Sequence, residues 1–277
     1  MKKIITRSCA LAGILFAATM AVSQAGNLKN IEITDEFPWE RCADSVGLIN
    51  SCLGADCNPY LPLIVGRVQE LDNSECDDCE EFEAVAVSML ADTETVNGHA
   101  TRVMEEREWV GEFGEEPELA EVSRNFVIMC PNTQDVFYFG EDVCLNAEDE
   151  DALEAPLYGG HYNCEADGML YGTGAWRAGL GDDEPGLLFP GGTFLLNAAY
   201  FQELASVALD WAMNAEAGLS EAGFEDCVMA LDRNLLEDPK SKEDGDEKIY
   251  CPDIGIVMDE DLEFVSCTDI GEVACEQ

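Results

Sequence analysis

The sequence predicts an α+β, β-rich fold: two disulfide-stapled lobes built from antiparallel hairpins, with one long amphipathic helix. Three observations carry that expectation. Short Val- and Ile-rich runs alternate with turn residues, cysteines are numerous in a chain with an export signal, and one long stretch has apolar residues at helical spacing. The chain has 277 residues, 47% of them hydrophobic, so core material is plentiful despite 58 acidic side chains against 14 basic ones. Its formal charge is −44. Acidic disorder needs low hydrophobicity as well as high charge, so a folded protein is expected.

Residues 1–25 read as a secretory signal peptide. Lys2, Lys3 and Arg7 make a positive start, Ser8 to Val22 is apolar, and Ser23-Gln24-Ala25 puts small residues before Gly26. The apolar run is shorter than the roughly 20 residues that span a bilayer. Cleavage there removes Cys9 and leaves 12 of the 13 cysteines, an even set suited to as many as six bridges.

Phe37 to Leu53 carries Trp39, Cys42, Val46, Ile49 and Leu53 at helical spacing. Pro38 suits its first turn and Gly54 its end, so a helix is expected. Leu61 to Val68 reads as a short strand. Phe82 to Ala91 and Ala100 to Trp109 flank Asn97-Gly98, the dipeptide of a tight hairpin. Glu105, Glu106, Arg107 and Glu108 place the end of that hairpin in solvent. Phe126 to Pro131 reads as a buried strand, with Val136 to Phe139 as its partner. Residues 146–156 are acidic and poor in apolar groups, the expected linker between a lobe at 26–145 and a lobe at 157–277. Tyr158 to Gly192 is dense in glycine and aromatics and reads as loop.

Thr193 to Ala217 is the long helix of the expected fold. Thr193 caps it, Phe201, Leu204, Ala205, Ala208, Trp211 and Ala215 form its apolar stripe, and Gly218 ends it. After a polar loop from Asp238, three short strands are expected at Ile249 to Cys251, Ile254 to Met258 and Leu262 to Cys267. Phe126 to Asn132 resembles Lys248 to Asp253, each a strand ending in Cys-Pro and an Asx residue. That repeat suggests hairpin units closed by local bridges, Cys130 with Cys144 and Cys251 with Cys267. Seven cysteines precede the 146–156 stretch in the mature chain and five follow it. Both counts are odd, so at least one bridge joins the two parts.

The chemistry is sparse. Cys76 and Cys79 form a CxxC, but Glu75, Asp77, Asp78, Glu80 and Glu81 around them disfavour a thiolate, so a structural bridge is expected. Ser220 lies in Gly218-Leu219-Ser220-Glu221-Ala222, which lacks the second glycine of a nucleophile elbow, and both His99 and His161 precede it. Gly172 to Arg177 lacks the third glycine of a dinucleotide loop. The candidate ligand surface is His161, Tyr162, Tyr171, Trp176 and Arg177, aromatic rings on a glycine-rich loop. Their alternative role is to pin that loop to the core. The candidate metal ligands are Asp182, Asp183 and Glu184, with Asp259 and Asp261. Their oxygens suit Ca²⁺, although none follows the EF-hand spacing. No motif requires a cofactor.

A polyanion without a basic cluster repels phosphates, so nucleic acid is excluded as a partner. The expected function is an exported, disulfide-stabilised acidic binding or structural protein of the cell surface or periplasm. It is expected to be non-catalytic, to have no transmembrane segment after signal cleavage, and to meet a protein or a surface glycan. The alternatives are a secreted hydrolase using paired carboxylates and a calcium-binding matrix protein.

Overall fold

In the computed structural model, residues 31–32, 39–76, 79–149, 151–191, 194–236, 245–269 and 273–275 are described. The signal-peptide segment with Cys9, the cap residue Thr193 and much of the polar loop from Asp238 lie outside them.

The expected hairpin at Asn97-Gly98 forms. Both residues have positive φ, 48° and 79°, the turn that follows the right-handed twist of paired strands. Its arms are β2 (Phe82–Val96) and β3 (His99–Gly111). Before them lies β1 (Val68–Asp72), and after them β4 (Glu118–Met129) and β5 (Val136–Leu145). Next come β6 (Glu184–Phe189) and β7 (Ala198–Phe201, continued by Glu203–Leu204). The remainder are β8 (Asp210–Glu221), β9 (Phe224–Asn234), β10 (Asp246–Cys251), β11 (Gly255–Asp259) and β12 (Leu262–Asp269).

Each of these strands pairs antiparallel with the next. β12 then pairs with β1, Cys267 opposite Gln69. The ladder therefore has no free edge: it is a twelve-stranded up-and-down barrel. Short pieces at Leu170–Gly172 and Trp176–Arg177 extend the rung beside β5, against the half of that strand that β6 does not reach. Gly140 in β5 is required there, because its φ is 134° and a Cβ would strike the Trp176 carbonyl. Residues 31–277 form one compact unit.

This all-β barrel overturns the α+β expectation with its long helix. Among the described residues there is one α-helix, Trp39–Ser45, seven residues long. The segment from Thr193 to Ala217 is not helical where it is described. It folds back on itself as β7 and β8, with Phe201 opposite Trp211 and Tyr200 opposite Ala212. Phe201 and Trp211, assigned to one helical stripe, are partners across a ladder. Helix propensity in this alanine-rich stretch is a weak preference, and tertiary pairing overrides it. The helix expected over Phe37 to Leu53 stops at Ser45, where the Val46 and Gly47 amides both bond the Cys42 carbonyl. Leu61 to Gly66 is extended chain without a ladder, and the strand expected there begins at Val68.

Six cysteine pairs staple the barrel: Cys42–Cys130, Cys52–Cys57, Cys76–Cys79, Cys144–Cys164, Cys227–Cys251 and Cys267–Cys275. The expected pairings of Cys130 with Cys144 and of Cys251 with Cys267 are replaced. Antiparallel register explains why. Cys144 lies opposite Val122, far up β4 from Cys130. Cys251 lies opposite Gly255 on β11, and Cys267 lies opposite Gln69 on β1. The CxxC is bridged, and Cys144–Cys164 is the crossing bridge that the odd counts demand.

Candidate functional site: the acidic lumen

A strand sends alternate side chains to opposite faces, so every second residue of a closed barrel points inward. Val85, Val87 and Met89 of β2 do so, as do Met104, Glu106 and Glu108 of β3 and Glu121, Ser123 and Asn125 of β4. They line a single cavity of about 280 Å³ that draws residues from all twelve strands. The chain before β1 covers one end. Leu61 lines that end and Leu63 is fully buried there. The Asn58 amide holds the cover down by donating to the Gln134 and Pro190 carbonyls at 2.9 and 3.1 Å. Met89, Met104, Leu188 and Ile256 make this end an apolar floor.

Away from the floor the wall turns acidic. β3 brings Glu106 and Glu108, β4 brings Glu121, β5 brings Glu141 and β7 brings Glu203. On the other side stand Asp210 of β8, Asp232 of β9 and Asp259 of β11. Against these eight carboxyl groups the wall carries two cations, Arg67 and Lys248. Arg67 is engaged elsewhere, its guanidinium 2.8 Å from Asp269. Lys248 Nζ lies 3.3 Å from Asp232 and 3.4 Å from Asp259. Burial opposes its charge, yet Asp259 and Asp232 hold the ammonium well above its ordinary pKa.

The remaining acids are crowded and protonate readily. Burial raises Glu106 to about 7, with Asp259 and Glu121 adding to the rise and Lys248 working against it. Glu108 keeps contact with solvent, yet the partial loss of water beside the wall, then the carboxylates of Glu121, Glu106 and Asp259, raises it to about 8. Burial and then Asp210 raise Glu203 to about 8. Glu141 is pushed well above the usual carboxylate range, first by burial and then by Glu203 and Glu121. The Tyr138 hydroxyl sits 3.0 Å from Glu141 Oε2 and against Asn125 Oδ1. At neutral pH the lumen therefore holds protons where the outer surface holds charge.

Four of the residues expected to bind ligand, His161, Tyr162, Tyr171 and Arg177, lie outside the lumen in a loop packed over β4 and β5, with Asp142 as its hub. Trp176, opposite Glu141, instead turns its ring inward onto the lumen residue Tyr138, with centroids 5.4 Å apart. Arg177 bonds Asp142 at 2.8 Å and the Gly160 carbonyl at 3.0 Å, with its guanidinium 4.5 Å from the Phe126 ring centre. The Tyr162 amide donates to Asp142, and its hydroxyl donates to Asp167. His161 lies between the rings of Tyr158 and Tyr171, and Trp176 is buried. These rings pin the loop to the barrel.

The candidate metal ligands fall on two separate turns. Asp183 accepts from the Ser206 amide at 2.8 Å in the turn that carries Asp182 and leads to Glu184. Asp261 is exposed between β11 and β12, whereas Asp259 faces the lumen and Lys248. Among the described residues no three His, Cys, Asp or Glu side chains are grouped to hold a metal. His99, half-buried, packs edge-on against Trp39 and Phe139.

Sequence reasoning placed Glu106 and Glu108 in solvent, which holds for the exposed Glu108 and not for the half-buried Glu106, and it did not single out Glu121, Glu141 or Glu203. The signal was present as acids two apart on one strand, Glu106 and Glu108, with Arg107 between them facing the other way toward Glu105 and Asp167. No family model, curated protein or solved structure matches the chain.

Proposed function

We propose that this is an exported binding protein whose barrel lumen receives a small, positively charged ligand. The observation that carries the reading is the lumen itself: a space inside the barrel, covered at one end, where the described residues contribute eight carboxyl groups, two cations and an apolar floor. Its volume of about 280 Å³ lies near the lower end of small-molecule sites, roughly 300–1,000 Å³. A cation placed beside these carboxyl groups favours their ionised form, so cation uptake and proton release are coupled there. The six cysteine pairs support an oxidising, extracytoplasmic setting. Exposed outward positions of the barrel carry Glu70, Glu247 and Glu263, where a lipid-facing barrel needs an apolar band. This supports a barrel surrounded by water.

Calorimetric titration of the oxidised protein at fixed ionic strength tests the reading, with spermidine as the cationic probe and citrate as its anionic counterpart. Spermidine is expected to bind and citrate not to bind. Val87→Trp, which fills the lumen, is expected to abolish spermidine binding, and Ser123→Leu serves if that variant does not fold. Equal spermidine binding by wild type and a folded lumen-filled variant would place the interaction on the outer acidic surface and overturn the proposal.

A further inference from the structure

Lys248 shows how the lumen holds an ammonium group. Its Nζ sits between Asp232 and Asp259, so two of the lumen carboxyls are matched by a primary ammonium of the chain itself. Glu106 and Glu108 of β3 and Glu121 of β4 form a second acidic group. Among the described residues no lysine or arginine makes an ion pair with any of these three. Glu108 and Glu121 stand directly opposite in the β3–β4 ladder. Like charges in that position repel and destabilise the pair.

Hydrocarbon runs beside this acidic group. Leu71, Val85, Glu108 and Glu121 are successive cross-strand partners, so apolar and acidic side chains meet at one level of the lumen. Val87 and Glu106 are partners at the next level down. A second kind of observation also points to an occupant. Tyr200 is 1% exposed on the inner face of β7, opposite Ala212 and through it in register with the lumen residue Asp232, and among the described residues its hydroxyl has no hydrogen-bond partner. Buried hydroxyls in folded proteins are normally paired, with protein or with something bound.

We propose that Glu106, Glu108 and Glu121 form a seat for the ammonium group of a small amine whose hydrocarbon part lies on Leu71, Val85 and Val87. This rests on the lumen being the binding site. The three apolar side chains give a hydrocarbon tail a surface and give a metal ion no donor. The seat and the Lys248 site are two instances of one chemistry, one filled by the chain and one open to a ligand.

The test is calorimetric titration at pH 8 and fixed ionic strength with n-hexylamine. 1-Hexanol and hexanoate serve as the neutral and anionic probes of the same chain length, and CaCl₂ as the metal probe. Hexylamine is expected to bind at one site, with the other three at least tenfold weaker. The double variant Glu108→Gln/Glu121→Gln is expected to weaken hexylamine at least tenfold. It removes a repulsion, so its thermal unfolding is expected at or above that of the wild type. Glu225→Gln, on an exposed outer turn, is expected to change nothing. Hexylamine bound equally by wild type and the double variant, yet lost in Val87→Trp, would keep the lumen as the site and overturn the seat. Hexylamine bound unchanged by Val87→Trp, or not bound at all, would overturn both. Calcium bound as tightly as hexylamine and lost in the double variant would assign the seat to a metal and overturn the amine.

Discussion

Replacing Glu106 with glutamine probes the lumen's electrostatics without touching the outer surface. In the folded protein this carboxyl titrates at about 7, against 4.5 when free. The first cause is the wall that removes it from water, and the second is the nearby carboxylates of Asp259 and Glu121, with Lys248 offsetting part of the rise. Proton counting gives the sign. Between those two pH values the folded protein keeps a proton that the unfolded chain has lost, so stability falls as pH rises through the interval. Below about 4.5 the penalty is absent, and above about 7 it is complete. At 1.36 kcal/mol per pH unit the full penalty is about 3 kcal/mol. Glutamine has nearly the same shape and never carries the charge. The Glu106→Gln protein is therefore expected to match the wild type at pH 4.5. At pH 8 it is expected to be more stable by up to about 3 kcal/mol, roughly 6–12 °C in Tm for a domain of this size. Urea unfolding at constant ionic strength, followed by tryptophan fluorescence across that pH range, measures the difference. A gain at pH 8 no larger than at pH 4.5 would refute the reasoning, because Glu106 would then already be charged and compensated.

The seat inverts that pH dependence for binding. Glu106 and Glu108 shed their protons near about 7 and about 8, so calorimetry is expected to find hexylamine bound roughly tenfold more tightly at pH 8 than at pH 6. An affinity flat across that range would contradict it. Arg177→Ala leaves Asp142, 2% exposed, without its cation, and is expected to cost about 3–5 kcal/mol in urea unfolding. The double variant Arg177→Ala/Asp142→Ala should lose less, and equal losses would show that the pair is not coupled. Cys144→Ser/Cys164→Ser opens the bridge over 20 residues, with an expected loss of about 2–4 kcal/mol. An unchanged denaturation midpoint would show that the outer loop is held by Asp142 alone. With a formal charge of −44, Tm is expected to rise from low to molar NaCl as the Debye length shrinks from about 10 Å at 0.1 M to about 3 Å. A flat melting curve series would mean the acids are already neutralised.

Local features of this chain were legible where a short motif decides them. Asn97-Gly98 announced its hairpin, Phe126 to Pro131 announced a buried strand, and Cys76 with Cys79 announced a bridge rather than a redox centre. The barrel was not legible, for a physical reason. Pattern reading assumes that acids face solvent and apolar groups face the core. In β3 and β4 the inward face carries Glu106, Glu108 and Glu121, while outward residues such as Val122 and Phe126 are buried beneath a loop. Both faces are mixed, so alternation does not reveal which is inside. The Phe201 to Ala215 segment failed differently. A hairpin whose arms place Phe201 against Trp211 spaces its apolar residues so that a helical stripe fits them as well. The loop cluster around Arg177 was read as a ligand surface or a pin for the loop, and in the structure Arg177, the Tyr158 hydroxyl and the Tyr162 amide all bond Asp142.

The seam that closes the barrel sets a limit on when it can form. β1 pairs with β12 through Val68 opposite Thr268, partners 200 positions apart in the chain. The other eleven rungs of the barrel join strands that follow one another in the chain and can form first, while the closing pairing must wait for the final strand. Until then β1 and β12 each present an unsatisfied edge, and the lumen acids remain in contact with water at full charge. The same seam ties ligand capture to completion. Glu106, Glu108 and Glu121 come to line a common lumen only once residues near 268 have docked, so an unfinished or C-terminally clipped chain would have the acids but not the cup.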